Sequence, residues 1–176
     1  MITIVCGTNR EDAVSKKLSR IYKDHLDQLN QENQIIDLID LPSDFAFSAL
    51  YSESGKNEAF NLYRKQMLES DKFIFIVPEY NGSFPGVLKT FIDGLQFPDT
   101  FKNKVCGLTG LSSGVQGGGL ALSHLTDIFN YCGMHVVPMK PKLARISQNM
   151  DMNKEEITNS LYTELINEQI ESLIDF

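Results

Sequence analysis

The chain has 176 residues, of which 42% are hydrophobic and 22% charged, a balance typical of one soluble globular domain, residues 1–176, that buries its own core. Its formal net charge of −7 argues against a surface that binds nucleic acid or anionic membrane, because such surfaces cluster Lys and Arg against phosphates. The three cysteines have no CxxC spacing, and no run approaches about 20 consecutive apolar residues. We therefore expect reduced thiols, no membrane span, no secretion signal and a cytoplasmic protein.

The predicted elements alternate along the chain between apolar runs and segments with helical spacing. Strands are predicted at 1–6, 34–38, 73–77, 104–109 and 134–137; helices are predicted at 17–29, 58–69, 87–95, 118–132 and 154–173, and 42–56 is an irregular segment. The apolar runs are too continuous for a sheet with one solvated face. The sequence therefore predicts an α/β fold with a doubly wound, five-stranded parallel sheet, in the order 2-1-3-4-5, and helices on both faces.

Three loops follow the first, third and fourth predicted strands: loop one is 7–16, loop two is 78–86 and loop three is 111–119. In a parallel sheet every loop that follows a strand lies at the same edge, so these loops converge. The predicted order makes strands one and three neighbours whose connections leave in opposite directions. This arrangement opens a crevice between loops one and two, and we expect the ligand there.

Loop one combines hydroxyls, an amide and basic groups at the start of a helix, in Thr8, Asn9, Arg10, Ser15 and Lys16. Backbone N–H groups at a helix start favour an anion, aided by the helix dipole, and Arg10 adds positive charge. This pattern predicts a site for a terminal phosphate. The alternative is ordinary helix capping, with Ser15 as the N-cap and Arg10 solvated.

Loop two holds an acid, a phenol, an amide, a hydroxyl and two prolines within nine residues, directly after the most apolar run of the chain. Rigid polar loops at strand ends are where α/β proteins hold ligands. Loop three is dense in glycine, which lets a planar ligand approach the backbone closely. It contains neither GxGxxG nor GxxxxGK, so the dinucleotide-binding and Walker patterns are absent.

The loops together resemble those of the NAD(P)H-dependent FMN reductases of the flavodoxin-like superfamily, a group that includes quinone, azo-dye and chromate reductases. The resemblance covers most of the chain. Its most specific part is the run Pro-Glu-Tyr-Asn-Gly-Ser at 78–83, which continues as Pro85-Gly86-Val87-Leu88-Lys89 to Ile92-Asp93. Loop one is similar to the family's phosphate loop in Gly7-Thr8-Asn9-Arg10, and loop three to its glycine-rich turn in Ser113-Gly114 and Gly117-Gly118.

The resemblance implies noncovalently bound FMN, with its phosphate in loop one, its ribityl chain and ring edge along loop two, and its pyrimidine edge against loop three. The implied cofactor-binding residues are Thr8, Asn9, Arg10, Ser15, Lys16, Pro78, Glu79, Tyr80, Asn81, Gly82, Ser83, Ser112, Ser113, Gly114, Gln116 and Gly117. It also implies an enzyme in which hydride passes from NAD(P)H to flavin N5 and electrons then pass to a small acceptor: a quinone, an azo compound, a metal oxyanion or a free flavin. No side chain need act as an acid or base, so no catalytic residue is nominated.

The chain departs from the family pattern at three places. Ala13 occupies a position where the family commonly has a serine, which removes one phosphate contact. Gly94 stands where an aromatic residue is usual, on a helix that is often a subunit contact in the family. The basic residue that frequently follows the glycine-rich turn is absent.

Two other functions remain as alternatives. A flavodoxin-like electron carrier or flavin-binding module would share the phosphate site but would have no room for nicotinamide. The run Gly110-Leu111-Ser112-Ser113-Gly114 matches the G-x-S-x-G of a hydrolase nucleophile, so a serine esterase is the more remote alternative. An esterase needs an acid and a histidine on later strand-end loops, whereas His124 falls inside a predicted helix and His135 at a strand start. The histidines have no ligand spacing, so no metal site is predicted.

The resemblance also implies a homodimer or homotetramer with the flavin near a subunit boundary. The irregular segment 42–56 has more aromatics than a solvated loop requires, so it packs over the flavin edge, against a second subunit, or onto its own domain. Lys140, Lys142 and Arg145 could meet the phosphates of a nicotinamide nucleotide, or could be solvated surface charge. The sequence leaves the physiological acceptor and the choice between NADH and NADPH open.

Overall fold

The computed structural model describes all 176 residues and alternates strands with helices from end to end. The strands are β1 (Ile2–Cys6), β2 (Asn33–Asp37), β3 (Lys72–Pro78), β4 (Val105–Leu111), β5 (His135–Val136), β6 (Lys142–Leu143), β7 (Met150–Asp151) and β8 (Glu156–Ile157). The helices are α1 (Val14–Gln28), α2 (Phe45–Ser48), α3 (Glu58–Glu69), α4 (Gly86–Gly94), α5 (Gly119–Tyr131) and α6 (Ser160–Asp175). Single turns of 3₁₀ helix lie at Leu38–Asp40, Tyr51–Glu53 and Ile146–Gln148.

The main sheet is parallel and has the predicted order β2-β1-β3-β4-β5, so the doubly wound arrangement is confirmed. The fifth position differs from the prediction of a single strand at 134–137. There β5 pairs with the beginning of β4, and β6 pairs with its end through Gly110 and Leu111. The sheet therefore has six strands, because the chain leaves the sheet between Val136 and Lys142 and returns to it.

Both faces of the sheet are covered, and β3 shows why. Its residues alternate between the faces: Phe73, Phe75 and Val77 enter one hydrophobic cluster, while Ile74 and Ile76 enter the other. The first cluster lies under α2, α3, α4 and α5, and the second lies under α1 and α6. A strand buried on both sides needs apolar residues at every position, which explains the unbroken apolar run in the sequence.

The C-terminal region corrects a second prediction. A helix was expected from 154 to 173, but residues 150–157 form a two-stranded antiparallel sheet, β7 with β8, and α6 begins only at Ser160. Asn159 is its N-cap, and the Asn159 side chain accepts a hydrogen bond from the Leu161 N–H. Glu155 fixes the small sheet to α1 by ion pairs with Arg20 and Lys17, which lower the pKa of Glu155 to about 2.

The irregular segment 42–56 folds onto its own domain through Phe45, Ala49 and Leu50, which are buried in the first hydrophobic cluster. Two of its aromatics stay in solvent, since Phe47 is 87% and Tyr51 86% exposed. No helix of the structure is both long enough and apolar enough to span a membrane.

Candidate functional site

A crevice of about 220 Å³ lies at the carboxyl edge of the sheet, where the three loops meet. It is lined by Thr8, Arg10, Asp12, Ala13, Val14 and Ser15 from loop one and the start of α1, by Pro78, Glu79 and Tyr80 from loop two, by Leu111, Ser112 and Ser113 from loop three, and by Ile146 and Ser147. The structure thus brings together the loops whose convergence the sequence predicted. It also adds a fourth wall at residues 146–147.

Loop one follows β1 and begins next to β3, where the Gly7 N–H donates to the Ile76 carbonyl at 2.9 Å. Helix α1 begins at Val14 with Ala13 as its N-cap, and no side chain caps it. The alternative in which Ser15 caps the helix is therefore wrong. Ser15 lies in the first turn, is 99% buried, and its hydroxyl has no hydrogen-bond partner in the protein, although it is near enough to the Cys6 thiol to act against the rise in the pKa of Cys6.

The two basic side chains of loop one have different surroundings. Arg10 lines the crevice and its guanidinium pairs with no acid of the protein. Lys16 does not line it, because its ammonium lies 2.9 Å from the Asp37 carboxylate at the end of β2, which raises the pKa of Lys16. Asn9 is exposed and also lies outside the crevice.

Loop two begins with a tight two-residue turn at Tyr80-Asn81-Gly82-Ser83. Tyr80 and Ser83 exchange both backbone hydrogen bonds, at 2.8 and 3.1 Å, and the φ angles of Asn81 and Gly82 are 51° and 76°. Positive φ at both central residues is the type I′ geometry that an Asn-Gly pair favours. The turn therefore follows from local sequence, and it holds Tyr80 at the crevice while Asn81 is exposed at the tip.

Side chains tie loop two to its neighbours. The Tyr80 and Thr8 hydroxyls are 2.7 Å apart and join loop two to loop one across the crevice. On the other side, the Ser83 hydroxyl is 2.9 Å from His124 Nδ1 on α5. Glu79 has an unsatisfied hydrogen-bond acceptor, since its Oε2 is buried in the crevice wall without a partner.

Loop three is fastened by its own backbone and by the strand beside it. The Ser112 hydroxyl donates to the Gly114 carbonyl at 3.1 Å and accepts from the Gly117 N–H at 3.0 Å. Gly117 has φ of 58°, and a Cβ there would lie 2.5 Å from the Lys142 backbone. The glycine at 117 is therefore required by packing against β6, whereas a Cβ at Gly114 would meet nothing within 4 Å.

Half of the sequence-predicted site residues line the crevice: Thr8, Arg10, Ser15, Pro78, Glu79, Tyr80, Ser112 and Ser113. The others lie outside its lining: Asn9, Lys16, Asn81, Gly82, Ser83, Gly114, Gln116 and Gly117. Asp12, Ala13, Val14 and Leu111 were missed although they lie within or beside the predicted loops. Ile146 and Ser147 had no sequence signal, because the strand that leads to them has only two residues.

The hydrolase pattern at Ser112 has no catalytic partner. The hydroxyl is used inside loop three, His124 bonds Ser83, and His135 packs against Phe176 with ring centroids 5.3 Å apart. No group of three or more His, Cys, Asp or Glu side chains is placed to hold a metal ion. The thiols are free, and burial with the nearby Asp37 charge raises the pKa of Cys6 to about 11.

A larger cavity of about 520 Å³ lies between α4 and α5, away from the three loops. It is lined mainly by apolar side chains such as Ile92, Phe97, Ile128 and Tyr131, and it holds no predicted site residue. The smaller crevice is the better candidate for chemistry, because unpartnered polar groups from loops one and two lie there and loop three closes the same edge.

A doubly wound sheet with a polar crevice at the switch point between β1 and β3 is the architecture of the flavodoxin-like α/β class. The family model described as NADPH-dependent FMN reductase matches residues 1–144. The chain belongs to this family, so the resemblance that loops one to three carry is confirmed. It is an NAD(P)H-dependent FMN oxidoreductase by family, with FMN as the family's cofactor and NAD(P)H as its electron donor.

Curated relatives agree with this assignment, and solved structures share the fold. The chain is 28% identical over 171 residues to a 2-hydroxy-1,4-benzoquinone reductase of Burkholderia sp, an alignment that covers 92% of this chain and 90% of the relative. It is 34% identical over 115 residues to an FMN-dependent NADPH-azoreductase of Staphylococcus saprophyticus, covering 64% of this chain but only 60% of the azoreductase. The fold matches that of FerB, a flavoenzyme NAD(P)H:(acceptor) oxidoreductase from Paracoccus denitrificans, with a TM-score of 0.78, 22% identity and coverage of 99% and 94% of the two chains.

The crevice fits the family's cofactor on two observations. The orphaned Ser15 hydroxyl in the first turn of α1 and the exposed Arg10 of loop one line the same crevice, a donor set that suits a phosphate. The orphaned Glu79 Oε2 can accept hydrogen bonds from sugar-alcohol hydroxyls. Buried polar atoms without partners are uncommon in folded proteins, and two in one crevice indicate a ligand that completes them.

Proposed function

We propose that the protein uses FMN in this crevice to pass electrons from NAD(P)H to a small organic acceptor. The observation that carries the proposal is the buried, unpartnered Ser15 hydroxyl in a crevice that the exposed Arg10 also lines, at the carboxyl edge of the sheet. Backbone N–H groups of the uncapped α1 start add donors at the same point. Together they supply charge and hydrogen bonds for a phosphate dianion.

The remaining crevice residues have distinct roles in this proposal. The bond between Thr8 and Tyr80 fixes the width of the crevice, so that the ribityl chain runs past a preformed wall. Glu79 Oε2 accepts from a ribityl hydroxyl or a ring N–H. The Ser83–His124 contact holds the loop-two turn against α5, and the amides of loop three face the pyrimidine edge. The other predicted ligands, Asn81, Gly82, Gly114, Gln116 and Gly117, act through the backbone shape of these turns.

The chemistry that FMN supplies when bound is acceptance of hydride from the nicotinamide at flavin N5 and its later transfer to the acceptor. At about 220 Å³ the crevice is smaller than a typical pocket for a whole ligand of this size, so loops one and two enclose the phosphate and ribityl part. The rest of the cofactor would lie outside this crevice, where the donor and the acceptor would reach it in turn. The residues of the crevice bind the cofactor, orient it and shield it from solvent; no side chain is required to move a proton.

We propose quinones or azo compounds as acceptors, because relatives carry those names.

We also propose that the protein is a homodimer formed through α4 and α5, in the cytoplasm, where its free cysteines stay reduced. Phe97 and Tyr131 are 66% and 83% exposed, and their rings stack at 6.4 Å beside the apolar cavity between the two helices. Contiguous exposed aromatic surface of this kind is typical of an interface between proteins.

The first test is a fluorescence titration of flavin-stripped protein with FMN, followed by anaerobic addition of NADH or NADPH while the flavin absorbance is recorded. Tight binding and bleaching by one nucleotide are expected. Arg10→Ala should weaken FMN binding about tenfold, since a hydrogen bond to a charged group is lost, whereas the adjacent Asn9→Ala should leave it unchanged. Binding without bleaching by either nucleotide would make the protein an electron carrier. Absence of FMN binding would reject the proposal.

A further inference from the structure

The fourth wall of the crevice comes from residues 144–148, which begin where the matched family region ends at 144. Ile146 and Ser147 of this segment face the same crevice as loop one. Ile146 is buried in the hydrophobic cluster that contains Leu18 and Tyr22 of α1, so the segment lies on the α1 face of the sheet. Ser147 thereby lines the same crevice as the start of α1.

The backbone of this wall is held by loop three at two successive residues, Arg145 and Ile146. The Arg145 N–H donates to the Gly114 carbonyl at 2.8 Å, and the Ile146 N–H donates to the Ser112 carbonyl at 3.1 Å. Arg145 adopts the left-handed conformation, with φ of 45° and ψ of 46°, which a residue with a side chain adopts only where its surroundings enforce it. These hydrogen bonds to loop three therefore fix the position of the backbone that leads into Ser147.

A second set of bonds supports the wall from behind. Asn149 Nδ2 donates to the carbonyls of Ala144 and Arg145, at 3.2 and 3.1 Å, and the Tyr162 hydroxyl donates to the Ala144 carbonyl at 3.1 Å. Asn149 is held in turn by Asn159 Nδ2 at 2.8 Å. The wall is consequently tied to the start of α6 as well as to loop three, and its position is preorganised.

The hydroxyls around the crevice differ in whether they are already used. Thr8 is bonded to Tyr80, and Ser112 is bonded within loop three. The exposed Ser147 hydroxyl makes no hydrogen bond within the protein, and Ala13, the N-cap of α1 in the same crevice, offers no hydroxyl at all. A phosphate has more acceptor sites than Arg10 and Ser15 can satisfy. We infer that Ser147 donates a hydrogen bond to the phosphate of bound FMN, an inference that rests on the function proposed above.

The test compares the dissociation constants of FMN and riboflavin, measured by fluorescence quenching, for wild-type protein and two variants. Ser147→Ala is expected to weaken FMN binding about tenfold and to leave riboflavin binding unchanged, because riboflavin lacks the phosphate. Gln148→Ala is the matched control: it is the next exposed residue of the same turn, lies outside the crevice and should change neither constant.

Three results would overturn the inference. Unchanged FMN affinity in Ser147→Ala would show that the hydroxyl does not reach the cofactor. An equal loss of FMN and riboflavin affinity would assign Ser147 to the ribityl chain, the ring or the fold of the wall. Wild-type protein that binds neither flavin would reject the proposed function itself and this inference with it, a result distinguishable because the variants are then not needed to observe it.

Discussion

Removal of the Ser15 hydroxyl is expected to weaken ligand binding without lowering the stability of the protein. Its hydroxyl is buried without a proper partner, and such a group costs free energy in the folded protein without ligand. A side chain of this kind at the start of a helix, beside a free arginine, is explained by a ligand that completes it. Sequence analysis identified the residue but left its role open between capping and phosphate binding, and only the position of the helix start at Val14 resolved the capping alternative.

Ser15→Ala should weaken FMN binding about tenfold while it leaves the flavin-free protein equally stable or about 1 kcal/mol more stable, because an unsatisfied hydroxyl is removed. FMN titration and urea unfolding of the flavin-free protein measure the two effects. Ser19→Ala is the control, since Ser19 is also buried on α1 but its hydroxyl donates to the Ser15 carbonyl, away from the crevice. A destabilised Ser15→Ala protein with normal FMN affinity would assign the hydroxyl a purely structural role.

Cys6 makes stability depend on alkaline pH. Burial, aided by the negative charge of Asp37, raises the pKa of Cys6 from 9.0 to about 11. Above pH 9 the unfolded chain releases this proton while the folded protein retains it, so the free energy of unfolding should fall by about 2 kcal/mol as the pH rises from 9 to 11. Below pH 9 the contribution is fully present.

Urea unfolding at a series of pH values from 8 to 11 tests this, with Cys6→Ala as the comparison. The variant should show a shallower loss between pH 9 and 11, although not a flat one, because burial also raises the pKa of Tyr22 and Cys106. An identical pH dependence in wild type and variant would contradict the assignment to Cys6.

At the scale of elements, the contact between α3 and α4 explains the unusual Gly94. The sequence placed a glycine where an aromatic is usual in the family, which left the packing of this helix open. In the structure the Phe60 ring of α3 occupies the space next to Gly94, because a Cβ on Gly94 would lie 2.6 Å from that ring. Phe60 also stacks on Phe45 at 5.4 Å and meets Phe91 edge-on at 6.0 Å. The aromatic group is thus supplied by a neighbouring helix.

Gly94→Ala is therefore expected to destabilise the protein by about 1–3 kcal/mol, because the methyl group forces the buried Phe60 ring to move. Adding Phe60→Leu to this variant should recover part of the loss, which a double-mutant cycle in urea unfolding would measure. Gly86→Ala is the control: it lies at the start of the same helix, a Cβ there meets nothing within 4 Å, and it should be neutral or slightly stabilising. Simple additivity of the Gly94 and Phe60 changes would contradict the proposed clash.

At the scale of the whole molecule, the two helical layers differ in what they present to solvent. The layer with α4 and α5 exposes Phe97 and Tyr131 beside an apolar cavity of about 520 Å³. This asymmetry supports the proposed dimer, which would cover the cavity and the exposed rings together. The cavity contains no convergent unpartnered polar groups, in contrast to the crevice.

Tyr131→Asp should convert the proposed dimer to monomer, because it introduces a charge where apolar surface would be buried; the molar mass from light scattering after size exclusion measures this. Leu161→Asp is the matched control, since Leu161 is a half-exposed apolar residue of α6 on the other face of the sheet, and its mass should equal that of the wild type. A monomeric wild type would reject the dimer.

The sequence by itself determined the order of the elements and the location of the site. Unbroken apolar runs specify strands buried on both faces, the Asn81-Gly82 pair specifies its own turn, and parallel strands bring their following loops to one edge whatever the details. These features depend on neighbours in the chain, so one sequence was enough to predict the fold class, the family and the loops that form the crevice.

Only the tertiary structure decided which side chains face the crevice. Lys16 turns to Asp37, loop three uses Ser112 and Gly117 to fasten itself, and Ile146 and Ser147 enter as a fourth wall after a two-residue strand. The split fifth position of the sheet and the small sheet of residues 150–157 were missed for the same reason. Such short elements are too short to show a periodic pattern in the sequence. Contacts with segments far away in the chain hold them in place.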